Sequence, residues 1–299
     1  MDIVLYAFTA LLYGGLATVA WRTHRGRNTG ASPVGALGER HSGAQLRVPV
    51  ARHVLLLFAL VAHGVLLHVT IFPPNQMVFG FAFALSAMLW LSVCIYWIES
   101  FFFPLDGLEL LALPLACLAA LMPLVFGGVR VLSYAADPLF ELHFVIANVA
   151  YGLLALAALH AVLMLLVGRR LNAMRGPAAR PAANGGWLGG WLDTLPPLLT
   201  LEKLLFRLIY AGFILLTLTL VSGVLISEQL LNRAVLFDHK TVFAVLSWLM
   251  FGALLVGRRL YGWRGRAALR WVLASFGSLF LAYVGSRFVL EVVLHRAVT

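Results

Sequence analysis

The sequence predicts an all-α fold, a single bundle of about eight transmembrane helices with both chain termini on the outer, periplasmic side. First, 62% of the 299 residues are apolar and 11% are charged, whereas soluble domains hold roughly a quarter charged residues. Second, a mean hydropathy of +0.94 leaves no soluble fold as a realistic alternative. Third, the apolar residues form long runs, and a helix needs about 20 residues to cross a bilayer.

Eight apolar runs meet that requirement or come close to it. In chain order they are Ile3–Trp21, Ala51–Phe72, Gln76–Ile98, Leu108–Phe126, Pro138–Gly168, Leu204–Ser227, Thr241–Val256 and Ala267–Leu294. The first run has no basic segment before it and has arginines after it, which favours a membrane span over a cleavable signal peptide. The seventh run is short, and it reaches the length of a span only if Asp238, His239 and Lys240 belong to its helix.

The connections between the runs show no sign of a soluble domain, so residues 1–299 are predicted to form one integral membrane domain. The segment Glu99–Gly107 (ESFFFPLDG) combines three phenylalanines with a proline and suits a tight turn in the membrane interface. The longest connection, Leu171–Thr200, is rich in Gly, Pro and Ala, which predicts a flexible cytoplasmic linker. The apolar and charged stretch Leu198–Leu208 is predicted to be a short interfacial helix that leads into the sixth run.

The basic residues indicate the orientation of the bundle. The connections after the first, fifth and seventh runs, with the adjoining span ends, hold 17 of the 22 Lys and Arg residues. By the positive-inside rule these connections face the cytoplasm, and an even number of spans then puts both termini outside. The formal charge of +10 is therefore a topology signal, and no nucleic-acid partner is expected.

Several kinds of chemistry find no support in the sequence. Cys94 and Cys117 lie singly in separate spans, without a CxxC or CxxCH motif, so they are interpreted as packing residues. The sequence has no GxSxG, HExxH or P-loop motif. An enzymatic activity is therefore not expected.

The fifth run carries an unusual set of polar residues. Glu141 and His143 lie near its start, Asn148 and Tyr151 follow within a few turns, and His160 lies deeper. Polar groups in hydrocarbon are unfavourable without a partner, so these side chains are expected to face the bundle interior or a site. His160 follows His143 by 17 residues, about 25 Å of helix, so the two cannot share one small site and His160 is interpreted as structural.

Histidines also collect at the predicted outer ends of the spans. His143, His239 and His295 lie there, and His68 is a fourth near the outer end of the second span. Imidazoles from two helices could supply both axial ligands of a haem iron, or ligands to another transition metal. The alternative interpretation is that these are amphipathic residues at the membrane interface.

The last span adds a polar stripe. Arg287, Glu291 and His295 are spaced at i, i+4 and i+8 and so share one helix face. Together with Lys240, Arg287 could hold the carboxylates of an anionic ligand. Alternatively, an ion pair between Arg287 and Glu291 only fixes helix packing. His63, near the middle of the second span, is interpreted either as a ligand or as a hydrogen-bonded packing residue.

Several segments show a family likeness. The stretches LPPLLTLEKLLFRL, LTLVSGVLIS and FDHKTVFAVLSWLMFGALLVGRRLYGWRGRAALRW, with HFVIANVAY from His143, resemble the cytochrome c assembly protein family, which includes CcsA, CcmC and HemX. The resemblance runs from about the second span to the C-terminus. It implies that His143 and His295 are the two outward-facing haem ligands and that His63 is the first intramembrane histidine.

The sequence also departs from the family pattern. The tryptophan-rich segment W-G-x-x-W-x-W-D should precede Asp238, but SEQLLNRAVLF stands there without a tryptophan. The similar GGWLGGWLD lies in the predicted cytoplasmic linker. The second intramembrane histidine, expected soon after Trp248, is replaced by LLVGRR. These departures point to the HemX-like branch, and cytochrome c synthase activity is not expected.

The leading hypothesis is a haem-handling inner membrane protein related to cytochrome c assembly, with haem b bound at the outer face. His143 and His295 are its predicted axial ligands. The other predicted site residues are two cations for the propionates and two groups that orient them: Arg287, Lys240, Tyr151 and Glu291. Expected partners are the lipid bilayer, haem, and other membrane or cytochrome-assembly proteins. The alternatives are a cofactor-free accessory or regulatory subunit of another membrane complex and, third, a solute transporter with His63 on its path.

Overall fold

The structure, a computed structural model, describes residues 2–29, 50–73, 77–78, 80–126, 138–174, 197–229, 239–289 and 292. Eight long helices account for nearly all of them: α1 Asp2–Thr29, α2 Val50–Ile71, α3 Phe81–Ser100, α4 Asp106–Val125, α5 Pro138–Met174, α6 Leu198–Gln229, α7 His239–Tyr261 and α8 Gly265–Phe280. Helix α8 continues through a π-helical stretch, Leu281–Gly285, into a last α-helical turn, Ser286–Phe288.

The described chain thus contains eight helices long and apolar enough to cross a membrane, which confirms the predicted all-α bundle. Their mean hydropathy over the best window lies between 1.5 and 2.4. Many of the large apolar side chains point away from the bundle and are exposed, for example Phe58 and Leu118. An apolar outer surface of this kind fits a lipid environment, because lipid tails are as apolar as the side chains that face them.

Two predicted boundaries are wrong. Leu198–Leu208 is not a separate interfacial helix but the first three turns of α6. The helix begins after Pro197, whose carbonyl accepts hydrogen bonds from the next turn, and no glycine or proline interrupts it before Gly212. The predicted linker 171–200 is also too long, because helical residues extend to 174 and resume at 198. The seventh helix does include His239 and Lys240, which gives it the length of a span, whereas Asp238 and the GGWLGGWLD segment lie outside the described residues.

Consecutive helices run in opposite directions, which gives the bundle two distinct ends. The contacts between His53 and Ser100 (3.0 Å) and between Arg258 and Glu202 (2.5 Å) each join the start of one helix to the end of another. We call the end where these contacts lie the arginine-rich end, and the other the opposite end. The described arginines at the arginine-rich end include Arg22, Arg25, Arg52, Arg169, Arg170, Arg207, Arg258, Arg259, Arg264, Arg266 and Arg270.

The GWRGR segment closes the bundle at the arginine-rich end. Gly262 and Gly265 have positive φ angles of 65° and 68°, a backbone conformation that glycine adopts without steric cost, and they form the turn between α7 and α8. Trp263 folds back onto Gly257, where a Cβ atom would lie 2.7 Å from the indole ring. The glycines of this segment are therefore explained by turn geometry and close packing.

Helix α5 is the centre of the bundle and packs against α3, α4, α6 and α8. Its alanines Ala150, Ala157 and Ala161 are completely buried. Small residues let helix backbones approach closely, which is how membrane helices gain packing energy without a hydrophobic driving force. Gly152 marks the closest such approach to α3, since a Cβ atom there would lie 2.7 Å from the Cβ of Leu91.

We expect Gly152→Ala to destabilise the protein by about 1–3 kcal/mol, the usual cost of overpacking a well-packed interior. The added methyl group meets Leu91 next to its backbone, so α3 and α5 must move apart. Thermal unfolding in detergent would measure the loss. Gly168→Ala in the same helix is the matched control, because nothing lies within 4 Å of the added Cβ. Equal stability of the two variants would contradict the close α3–α5 contact.

Candidate functional site

A cavity of about 230 Å³ lies between α3, α5, α6 and α8 at the opposite end of the bundle. Its walls are mostly apolar and aromatic, with Phe140 and Phe144 from α5 and Met88 from α3. Six polar or aromatic hydroxyl residues also line it: His143, Asn148, Tyr151, Thr219, Tyr283 and Arg287. A few convergent polar groups in an otherwise apolar cavity are typical of small-molecule sites.

His143 is held by a serine from the neighbouring helix. Its Nδ1 lies 2.7 Å from the Oγ of Ser222, and that hydroxyl donates to the carbonyl of Leu218 at 2.8 Å. A hydroxyl has one proton and a carbonyl only accepts, so when that proton points to Leu218 the ring proton lies on Nδ1, which donates to Ser222. Nε2 is then left with its lone pair. Histidines that bind metals are commonly oriented in this way through their other ring nitrogen.

Gly223, next to Ser222, gives the imidazole room. A Cβ atom at this position would lie 3.6 Å from the Cε1 of His143, an ordinary contact distance, so a larger side chain would reach the ring. The Ser222–Gly223 pair in α6 thus orients the ring and leaves space beside it. Both residues belong to the segment LTLVSGVLIS that carries part of the family likeness.

Helix α8 supplies a buried cation to the same cavity. Arg287 is only 9% exposed, and its guanidinium carbon lies 5.7 Å from the centre of the Tyr283 ring, within the range of a cation–π interaction. The Tyr283 and Tyr151 rings meet edge to face at 6.3 Å. The π-helical stretch that carries Tyr283 changes the register of α8 just before Arg287, and such stretches within α-helices are frequent at functional sites.

Two further polar groups complete the lining. The Tyr151 hydroxyl donates to the carbonyl of Leu279 at 3.4 Å, a long hydrogen bond that joins α5 to α8. Asn148 donates from Nδ2 to the carbonyl of Phe144 at 2.7 Å, so its Oδ1 is the acceptor on the other side of the amide. The cavity therefore combines an imidazole with a lone pair, a buried guanidinium and apolar walls.

The structure brings three of the predicted site residues to this cavity: His143, Tyr151 and Arg287. Lys240, at the start of α7, does not line it and has other interactions. Glu291 and His295 lie outside the described residues, so their predicted roles stay predictions.

His63 lies apart from the cavity and is completely buried. Its Nε2 lies 2.9 Å from the Ser86 hydroxyl, and its Nδ1 lies 3.3 Å from the Tyr13 hydroxyl. Both ring nitrogens thus have protein partners. This arrangement matches the hydrogen-bonded packing interpretation of His63, although its assignment as a ligand stays a prediction.

Sequence reasoning missed Ser222 and the aromatic wall formed by Phe140 and Phe144. Ser222 stood inside a segment recognised for its family likeness, but nothing local indicates that its hydroxyl meets a residue 79 positions earlier. The aromatic residues lie one turn apart and flank His143, a spacing that reads equally well as ordinary helix packing.

The fold and cavity define a class of protein, a multi-pass membrane helix bundle with a small-molecule cavity at one end. Its family follows from the comparison of sequences. Residues 51–294 match the profile of the Cytochrome C assembly protein family, and the chain belongs to that family.

Individual relatives share shorter stretches. The inner membrane protein YpjD of Escherichia coli (strain K12) is 29% identical over 158 residues, which cover 53% of this chain and 54% of YpjD. A 28.8 kDa protein of Azospirillum brasilense, from the nifR3-like 5′ region, is 31% identical over 173 residues, 58% of this chain and 57% of that protein. The chain thus spans about half the length of these curated relatives.

The cytochrome c biogenesis protein CcsA of Prochlorococcus marinus (strain NATL1A) is 34% identical over 85 residues, 28% of this chain and 27% of CcsA. No solved structure matches the chain.

Proposed function

We propose that this protein binds haem b in the cavity at the opposite end of the bundle and holds it or passes it on during cytochrome c assembly. The observation that carries the proposal is His143, an oriented imidazole with a lone pair on Nε2, in an apolar cavity that also contains a buried arginine. Family membership and the similarity to a cytochrome c biogenesis protein support the same function.

The residues of the cavity fit the chemistry of haem. Haem joins a flat apolar macrocycle to two carboxylates, and its iron binds imidazole nitrogens. The aromatic and aliphatic walls suit the macrocycle, Arg287 suits a carboxylate, and His143 supplies one nitrogen ligand. When bound, haem supplies an iron centre, and the residues of this chain hold and orient it.

The resemblance implies that His295 would be the second histidine to hold the iron. From the polar residues at the same end of the chain, we assign Lys240 to a propionate that reaches beyond the cavity, and Tyr151 and Glu291 would orient the surrounding groups. The positive-inside distribution of arginines supports placing the cavity near the outer face of a bacterial inner membrane, with both termini outside. Binding by residues from α5 and the C-terminal end of the chain would also stabilise the closed bundle.

Absorption spectra test the proposal. The purified protein in detergent is titrated with haem, and spectra are recorded in the oxidised and reduced states for wild type, His143→Ala and Ser222→Ala. We expect wild type to give a Soret band with sharp reduced α and β bands, His143→Ala to lose them, and Ser222→Ala to bind about 10–100-fold more weakly because the ligand loses its hydrogen bond.

His68→Ala is the matched control. His68 lies near the same end of the bundle but lines a different groove, between α2 and α3, so its variant should bind as wild type does. A wild-type protein without haem bands after titration, or a His143→Ala variant with unchanged bands, would contradict the proposal. The first result would favour the cofactor-free accessory subunit.

A further inference from the structure

A second pair of ionisable side chains meets within the bundle, near its arginine-rich end. His160 of α5 is completely buried, and its Nε2 lies 3.9 Å from the Oε2 of Glu99, the penultimate residue of α3. The Glu99 side chain is 14% exposed. His160 follows His143 by 17 residues, about 25 Å along the helix, so this pair is distinct from the cavity described above.

The backbone determines which ring nitrogen of His160 carries a proton. Nδ1 lies 3.0 Å from the carbonyl of Leu156, one turn earlier in α5. A carbonyl only accepts, so Nδ1 must be the donor. In a neutral ring, Nε2 then has a lone pair and faces a carboxylate oxygen. Within the described part of the chain, neither Nε2 nor this oxygen has a hydrogen-bond partner.

Two acceptors that face each other in a buried site leave two polar atoms unsatisfied, which is unfavourable. One bridging water does not match the separation, because two hydrogen bonds of about 2.8 Å at a tetrahedral angle span about 4.5 Å. A direct charge-assisted hydrogen bond requires about 2.7–2.9 Å. A side-chain movement of about 1 Å reaches that distance, provided that a proton lies between the two atoms.

We propose that Glu99 and His160 form a proton-binding site that takes up one exchangeable proton at the arginine-rich end of the bundle. The proton enters from water at the exposed part of Glu99 and is held between its Oε2 and the Nε2 of His160. Uptake converts a neutral imidazole and a carboxylate into a pair that shares one added proton, so the pair gains one positive charge and nothing is oxidised or reduced.

A charged residue of the neighbouring helix α6 affects the protonation of Glu99. Arg207 of α6 acts on Glu99 as a cation, whereas the burial of the carboxyl group acts in the opposite direction and more strongly, so the proton is shared by the pair and is not assigned to the ring alone. The bound proton joins α3 to α5, two helices that also line the cavity at the opposite end.

Nitrogen NMR of histidine-labelled protein in nanodiscs tests the site, with His160→Gln used to identify the signal. In wild type near neutral pH, we expect the pair to hold one added proton, seen either as protonation of both ring nitrogens of His160 or as a protonated Glu99 that donates to Nε2. In Glu99→Gln, the side-chain amide donates to Nε2, so the ring should be neutral with its proton on Nδ1. Proton counting by titration should show one proton fewer per chain in this variant.

His63 is the internal control, because it is equally buried but its ring nitrogens meet only hydroxyl groups. Its signals should be those of a neutral ring in wild type and in Glu99→Gln. Infrared spectra report the carboxyl group, and a protonated Glu99 bonded to a neutral His160 would also support the proposal. A neutral His160 beside an ionised Glu99 in wild type would overturn it, and this result does not depend on any variant folding.

Discussion

Glu109→Ala is expected to destabilise the protein by about 3–5 kcal/mol, because it leaves a buried guanidinium without its carboxylate. Arg52 at the start of α2 and Glu109 in the first turns of α4 lie 2.6 Å apart, with side chains only 12% and 2% exposed. Tyr96, a completely enclosed residue of α3, contacts the same carboxylate. Three helices therefore depend on one ion pair, and thermal unfolding in detergent would measure its loss.

A double variant tests whether the loss of stability in Glu109→Ala comes from leaving the charge of Arg52 unpaired. In Arg52→Met/Glu109→Leu both charges are replaced by apolar groups of similar size, and such replacements are often neutral or stabilising. We expect this variant to be much closer to wild type than either single change. Two single variants whose effects simply add in the double variant would show that the side chains do not interact.

Arg287→Met is expected to weaken haem binding by about 10–100-fold, since a hydrogen bond to a charged group contributes about 1.5–3 kcal/mol. Arg287 is the described cation that lines the cavity, and methionine keeps part of its apolar stem beside Tyr283. The dissociation constant is measured by titration of the Soret band. Thermal unfolding of the haem-free variant shows whether packing has also changed.

The control for Arg287→Met is Arg270→Met in the same helix. Arg270 is exposed at the arginine-rich end, so its replacement should leave haem affinity unchanged. If His143→Ala loses haem binding and Arg287→Met does not, the haem site is supported but Arg287 does not contact the haem carboxylates. Equal losses in Arg270→Met and Arg287→Met would indicate a general charge effect.

Much of the fold followed from patterns within single helices. The eight spans were predicted because a bilayer imposes a minimum apolar length on each helix, and this requirement is readable in any one segment. The predicted helix boundaries were wrong where polar residues continue a helix beyond the hydrocarbon core of the membrane. The start of α6 at Leu198 is the clearest case, since a lysine and a glutamate in its first turns suggested an interfacial segment.

The candidate site was only partly predictable. His143, Tyr151 and Arg287 stood out because an ionisable or hydrogen-bonding group is unfavourable in hydrocarbon. Their partners did not stand out. Ser222 is one of several hydroxyl residues in α6, and only the packing of α6 on α5 shows that it meets His143.

The sequence by itself determined the class of the protein, its helices, its family and the polar residues that need partners. The tertiary structure decided which of them meet: His143 with Ser222, Arg52 with Glu109, and Glu99 with His160. Helical periodicity relates residues three or four positions apart, whereas these pairs are separated by 57 to 79 positions. Their proximity depends on the rotation and register of whole helices, which packing of the complete bundle fixes.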